Sequence, residues 1–163
     1  MIVAASGQKP FNQPANQSYK TPNGKTRYRL TDDYEYRWDY NLKLYRIRVL
    51  KGYDNDGGSI PDWLVNRFGL DRDGLGRAGF VLHDVVCDCE GWFANPVFRE
   101  RFRYEIKLGN DWLPCFTPWT DEDAARLMHR VHKDSGVSWW NRRRMFYAVR
   151  CFGPRFDGLP KQK

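Results

Sequence analysis

The sequence predicts an α+β fold, a small antiparallel N-terminal sheet packed against about four helices. Residues 34–50 alternate in polarity with period two, the interval at which strand side chains change face. Beyond residue 60 the apolar positions fall at helical spacing, bounded by capping and stop residues. The hairpin comes first and the helices follow, which is the order of α+β domains rather than of alternating β-α units.

Tyr34, Tyr36, Trp38 and Tyr40 share one face of the first strand, with Glu35, Arg37 and Asp39 on the other. A turn is expected near Asp39–Leu42. After it Tyr45, Ile47 and Val49 share a face opposite Arg46 and Arg48. Aromatic and β-branched residues at this period read as a half-buried hairpin. Asp54-Asn-Asp-Gly-Gly-Ser is turn chemistry. Ile60-Pro61 opens a short helix, with Pro early, where a missing donor costs nothing, and Gly69 at its end.

Residues 71–76 form a loop. A central helix is expected from Arg77 to Cys89, because Ala78, Phe80, Val81, Leu82, Val85, Val86 and Cys87 go nearly all the way round it. Residues 91–118 are irregular and rich in Trp, Phe and Pro, with a short strand near 102–108. Thr120 caps a helix to about Lys133, with Asp121, Glu122 and Asp123 facing the positive end of its dipole. Gly136 ends it. Ser138 caps a last helix through about Phe152, closed by Gly153-Pro154.

The expected organisation is one domain over 27–155. Before it lies an extended or partner-ordered arm, 1–26, rich in Asn, Gln, Pro and Ser, and after it a short tail, 156–163. At 163 residues, with 41% apolar and 16% aromatic content, the chain can bury its own core. No apolar run reaches the length of a membrane span. Met1–Ser6 lacks a basic signal region, so Cys87, Cys89, Cys115 and Cys151 are expected as reduced thiols of cytosolic synthesis. The net charge of +7 favours acidic partners, nucleic acid or anionic lipid, with Arg142-Arg143-Arg144 as the densest basic run.

Two segments carry chemistry. His83 and Asp84 sit in the apolar helix, and a buried carboxylate needs a cation, a metal or several donors. A satisfied core histidine beside an arginine-paired aspartate is the structural alternative. Gly79, one turn earlier, costs about 1 kcal/mol relative to alanine in a helix, so a close approach onto the His83 face or a tight helix crossing is expected there. The loop Asp54–Gly58 is oxygen-rich and suits Ca²⁺. It is no EF-hand, since the twelfth position from Asp54 is Val65; a plain turn held by its own Asp side chains is the alternative. His83 and Cys87 share a face at i, i+4, with Cys89 and Cys115 as further zinc candidates, but the spacing fits no standard zinc module. Nucleophile elbows, phosphate-binding glycine loops and catalytic triads are absent from the sequence.

Gly52-Tyr-Asp-Asn-Asp-Gly-Gly-Ser-Ile-Pro61 resembles the G-F-x-T-D-G-A-S-I-P signature of a phage and prophage family of unknown function. That family's A-x-x-x-H-D-x-x-Y helix is matched from Gly79 to Cys87, with Cys87 in place of Tyr, and its closing segment is matched from Gly136 to Pro154. The resemblance spans about residues 42–155. It implies a phage-encoded protein, made in the host cytoplasm; the N-terminal arm, with the displaced acidic position, adds the expectation of a virion-associated tail, neck or capsid accessory protein. Its partners would be other virion proteins, met through the N-terminal arm and the aromatic-rich loop.

The helix around His83-Asp84 is also similar to the active-site helix of phospholipase A2 proteins. That similarity implies a Ca²⁺-dependent hydrolase acting on the host envelope. His83 would be the general base, Asp84 with Asp56, Gly57 and Gly58 would hold Ca²⁺, and Asp123 would orient the histidine. Counting back from Gly136, the phage family's own second aspartate falls on Ala125, two residues from Asp123. The basic charge leaves a third expectation, a nucleic-acid-binding accessory protein.

Overall fold

The computed structural model describes residues 11–57, 63, 66 and 74–159. The elements run β1 (Asn16–Lys20), β2 (Thr26–Leu30), β3 (Tyr34–Tyr40), β4 (Lys43–Val49), β5 (Asp54–Asn55), α1 (Arg77–Asp88), a 3₁₀ turn (Pro96–Phe98), β6 (Phe102–Leu108), β7 (Asp111–Pro114), α2 (Asp121–Asp134) and α3 (Trp139–Phe152). The fold is α+β, with two antiparallel sheets, β1-β2-β5 and β3-β4-β6-β7. The short helix expected from Ile60-Pro61 falls largely outside the described residues.

The alternation in 34–49 sets the larger sheet. Tyr34 pairs with Val49, Tyr36 with Ile47 and Trp38 with Tyr45. On the other side of β4, Ile47 pairs with Tyr104 and Val49 with Phe102. These side chains form one face, and its buried part packs on Val81, Leu82, Val85 and Val86 of α1 and Leu127 and Val131 of α2. A second cluster joins Phe80 of α1, Ala125 and Met128 of α2, and Met145, Ala148 and Val149 of α3. Helix α1 is therefore covered on both sides, and Ala78 to Val86 are buried without a break. The opposite sheet face is charged. Arg46 bonds Glu105 at 2.7 Å and Glu35 at 3.0 Å, and its guanidinium lies 4.0 Å from the centre of the Trp112 ring.

The hairpin β3–β4 turns through Asn41 and Leu42, both at positive φ (48° and 61°). That is the backbone of a two-residue primed turn, for which Asn-Gly is the favoured pair. Leu42 is fully exposed and repays its left-handed strain with no packing. Leu42→Gly is expected to stabilise the fold by about 1 kcal/mol, read as an upward shift in the urea midpoint at constant slope.

One expectation is corrected at the N-terminus, where the arm over 1–26 is part of the domain from Phe11 onward. Residues 16–20 are a strand paired with β2, and Phe11 packs on Tyr36. The Ala78 N–H at the start of α1 donates to Gln13 Oε1 at 3.0 Å, and Gln13 Nε2 donates to the Leu75 carbonyl at 2.8 Å. The segment looked unstructured because it has few apolar residues. Its order comes from polar groups that supply the cap α1 lacks in its own sequence.

Among the described residues no helix is long and apolar enough to cross a membrane. The four cysteines are free.

Candidate functional site

The site lies where the loop after β5 meets the middle of α1. Asn55 is buried, its side chain donating to the Tyr28 carbonyl at 3.2 Å and accepting from the Gly57 N–H at 3.2 Å. This Asx turn, with Gly57 at φ 76°, holds the loop and leaves Asp56 exposed between two buried neighbours. The negative charge of Asp56 acts on His83, Cys87 and Asp88 of the facing helix.

His83 is 2% exposed and Asp84 5%. The His83 Nδ1 and Asp84 Oδ1 atoms lie 3.7 Å apart. Burial lowers the His83 pKa to about 4, against an upward pull from Asp56. The imidazole is therefore neutral at neutral pH, and the contact with Asp84 is a close approach and not an ion pair. Cys87 Sγ lies 3.6 Å from Nδ1 and 3.7 Å from Nε2 of His83. Burial, then the charges of Asp84, Asp88 and Asp56, push the Cys87 thiol up, so it stays protonated.

One turn further, Tyr53 donates from its hydroxyl to Asp88 Oδ2 at 2.8 Å. Burial raises the Tyr53 pKa, with Asp84 and Asp88 adding to it. Asp88 is also raised, by withdrawal of its carboxyl from water, which outweighs the Tyr53 bond and Arg101. A cleft of about 570 Å³ opens on Tyr53, Asp54 and Asp88 and is rimmed by Arg27, Lys51 and Arg101. Polar groups thus run from exposed Asp56, past Asp88 with its carboxyl turned to Tyr53 and half-buried Cys87, to buried His83.

The structure places Asp84 beside the His83 ring and Asp56 on the loop, where its charge acts on that ring. It places Asp123 elsewhere. The Asp123 carboxylate accepts from the Thr120 N–H at 2.9 Å and the Thr120 hydroxyl at 2.8 Å, closing the N-terminal capping box of α2. Gly57 donates its N–H within the loop, and Gly58 lies outside the described residues. Among the described residues no group of three or more His, Cys, Asp or Glu side chains is arranged to hold a metal ion. Two carboxylates and a histidine facing each other do not by themselves fit Ca²⁺, which takes six to eight oxygens.

Three participants escape sequence reasoning. Tyr53 and Asp88 become visible only when the loop is laid on the helix. The third is His132 of α2, fully buried, with Nε2 2.9 Å from the Gly76 carbonyl. Its ring fills the space over Gly79, where a Cβ would lie 2.3 Å from both Cδ2 and Nε2. Gly79 was the available signal, since a mid-helix glycine announces a close approach.

The basic run at 142–144 lies on α3. Arg143 and Arg144 are exposed, in a stripe with Trp139, Trp140 and Tyr147. The Arg143 guanidinium lies 4.8 Å from the Trp139 ring centre. The helix has no acidic residue.

No curated protein and no solved structure matches the chain. Over residues 28–149, which take in both sheets from β2 onward, the loop and α1 to most of α3, the chain belongs to the DUF1353 family, proteins of unknown function.

Proposed function

We propose that this is a phage-encoded, virion-associated protein carrying a hydrolytic site whose general base is His83. The observation that carries the chemistry is the buried His83 imidazole, 3.7 Å from Asp84 Oδ1 and under the charge of Asp56 from the loop. The three ordered phage-family motifs support the setting. A neutral imidazole accepts a proton from water as the oxygen attacks an ester carbonyl carbon. The imidazolium then returns that proton to the departing alkoxide. The charge of Asp56, which pulls the His83 pKa upward, favours the imidazolium while it lasts.

An envelope phospholipid is the substrate class that the phospholipase similarity suggests. The basic rim of the cleft, Arg27, Lys51 and Arg101, suits an anionic headgroup. Calcium enters as one arm of the assay, since the described carboxylates alone are too few to hold it.

Purified chain and His83→Asn are compared on phospholipid vesicles, with and without Ca²⁺. The variant is expected to lose at least about a hundredfold in rate, the usual contribution of a general base. Equal turnover by both chains dismisses the enzymatic half. Mass spectrometry of purified particles tests the other half, and absence of the chain from virions dismisses it.

A further inference from the structure

The face of the larger sheet continues past the helices that cover it. Tyr36 and Ile47 are buried, whereas the next same-face pair, Trp38 and Tyr45, is half-exposed. Beyond them the sheet and the start of α2 enclose a cavity of about 560 Å³, within the range of about 300–1,000 Å³ found for small-ligand sites.

Its walls are aromatic. Trp38, Tyr45 and Tyr104 lie with ring centres 5.8–6.0 Å apart and planes within 24° of parallel. Trp119 stands across Trp38 at 82°, which makes a corner of one flat wall and one upright wall. The upright wall is held firmly. The Trp119 N–H donates to the Gly91 carbonyl at 3.0 Å. Gly91 and Gly158 press on the Trp119 backbone so closely that an added Cβ would lie 1.9 Å and 2.5 Å from its carbonyl oxygen.

The rim is polar and its charges balance. Glu122, Asp123, Arg126 and Arg130 line the α2 side of the opening, with Arg126 paired to Glu122, and Tyr40 adds an exposed phenol. Arg130 is steadied by a 3.2 Å bond to the Asp39 carbonyl. A phosphate-bearing ligand needs a surplus of cations, and this rim has none. A flat aromatic wall below paired donors and acceptors suits a ring that is apolar on its face and hydroxylated at its edge. The C–H face of a pyranose meets the negative π face, while its hydroxyls take the arginines and carboxylates.

We infer that this aromatic corner, lined by Trp38, Tyr45 and Trp119, binds a neutral oligosaccharide. The site is separate from His83 and does not depend on hydrolysis there.

The full chain is titrated with chitotriose and with maltotriose, following intrinsic tryptophan fluorescence. A saturable change is expected with at least one of them. Trp38→Phe is expected to weaken it about tenfold. Tyr40→Ala, at the exposed rim, also weakens it should the core variant fold poorly, while Trp140→Ala on α3 leaves it unchanged. No saturation by either sugar at up to about 10 mM, where even a millimolar site fills, overturns the assignment. Binding undiminished in both Trp38→Phe and Tyr40→Ala overturns the location. Tighter binding of AMP than of either sugar overturns the ligand class.

Discussion

Replacing Gly79 with alanine is expected to destabilise the protein by about 3 kcal/mol, even though alanine is the better helix former by about 1 kcal/mol. The new Cβ would stand 2.3 Å from the His132 ring, and that ring has nowhere to go. It is fully buried between α1 and α2 and lies edge-on to Phe80, with ring centres 5.1 Å apart. Moving it also breaks the bond in which Nε2–H donates to the Gly76 carbonyl, leaving a buried polar pair unmade. His132→Ala alone opens a cavity and is expected to cost about 2–4 kcal/mol.

The two changes together remove the clash and part of the void. The double variant is therefore expected to be more stable than the sum of the single losses by about 1–3 kcal/mol. Urea denaturation of the four chains closes this cycle. Simple additivity would mean that the imidazole is not why a glycine stands at 79.

Acid is expected to unfold the protein through its buried histidines. His83 and His132 both have pKa values lowered to about 4, chiefly by burial. In the unfolded chain each returns to the ordinary value near 6.5. As pH falls below 6.5 the unfolded state binds protons that the folded state refuses. The stability these groups contribute is complete above that pH and is lost progressively down to about pH 4. Each can withdraw about 3 kcal/mol across that window. Asp88 works in the opposite sense, because its raised pKa lets the folded state take its proton first.

The urea midpoint should therefore fall steeply between pH 7 and 5, and less steeply in His83→Asn and in His132→Asn. An unchanged pH slope in both variants would remove the histidines as the cause.

The elements that could be read from sequence are those whose pattern is local. The expected strand at 102–108 and the helix from Arg77 match the structure closely because period and caps are written in adjacent residues. The candidate residues of the loop and helix drew notice for a related reason. A His-Asp pair in an apolar helix and an oxygen-rich turn both depart from local rules, and such departures mark places with another use.

What stayed hidden depends on distant parts meeting. Residues 16–20 show no strand signal of their own and become one only by pairing with β2. The role of Asp123 was misassigned for want of the same information. Its helix-capping bond to Thr120 is local and strong, whereas the reach to His83 had to be borrowed from a resemblance. The aromatic corner is likewise assembled from β3, β4, β6 and the segment before α2.

The larger sheet also has a consequence for how the chain assembles. Its central strand β4 is finished on one side within a hairpin, but its other edge is completed by β6, with Arg46 and Glu105 separated by 59 positions. During synthesis the β3–β4 hairpin emerges with that edge bare and waits for the loop, α1 and the aromatic stretch to follow. Closing such a distant pair is slow relative to helix formation. The charged residues along the waiting strand, Arg46 and Arg48, protect it in that interval from pairing with another nascent chain.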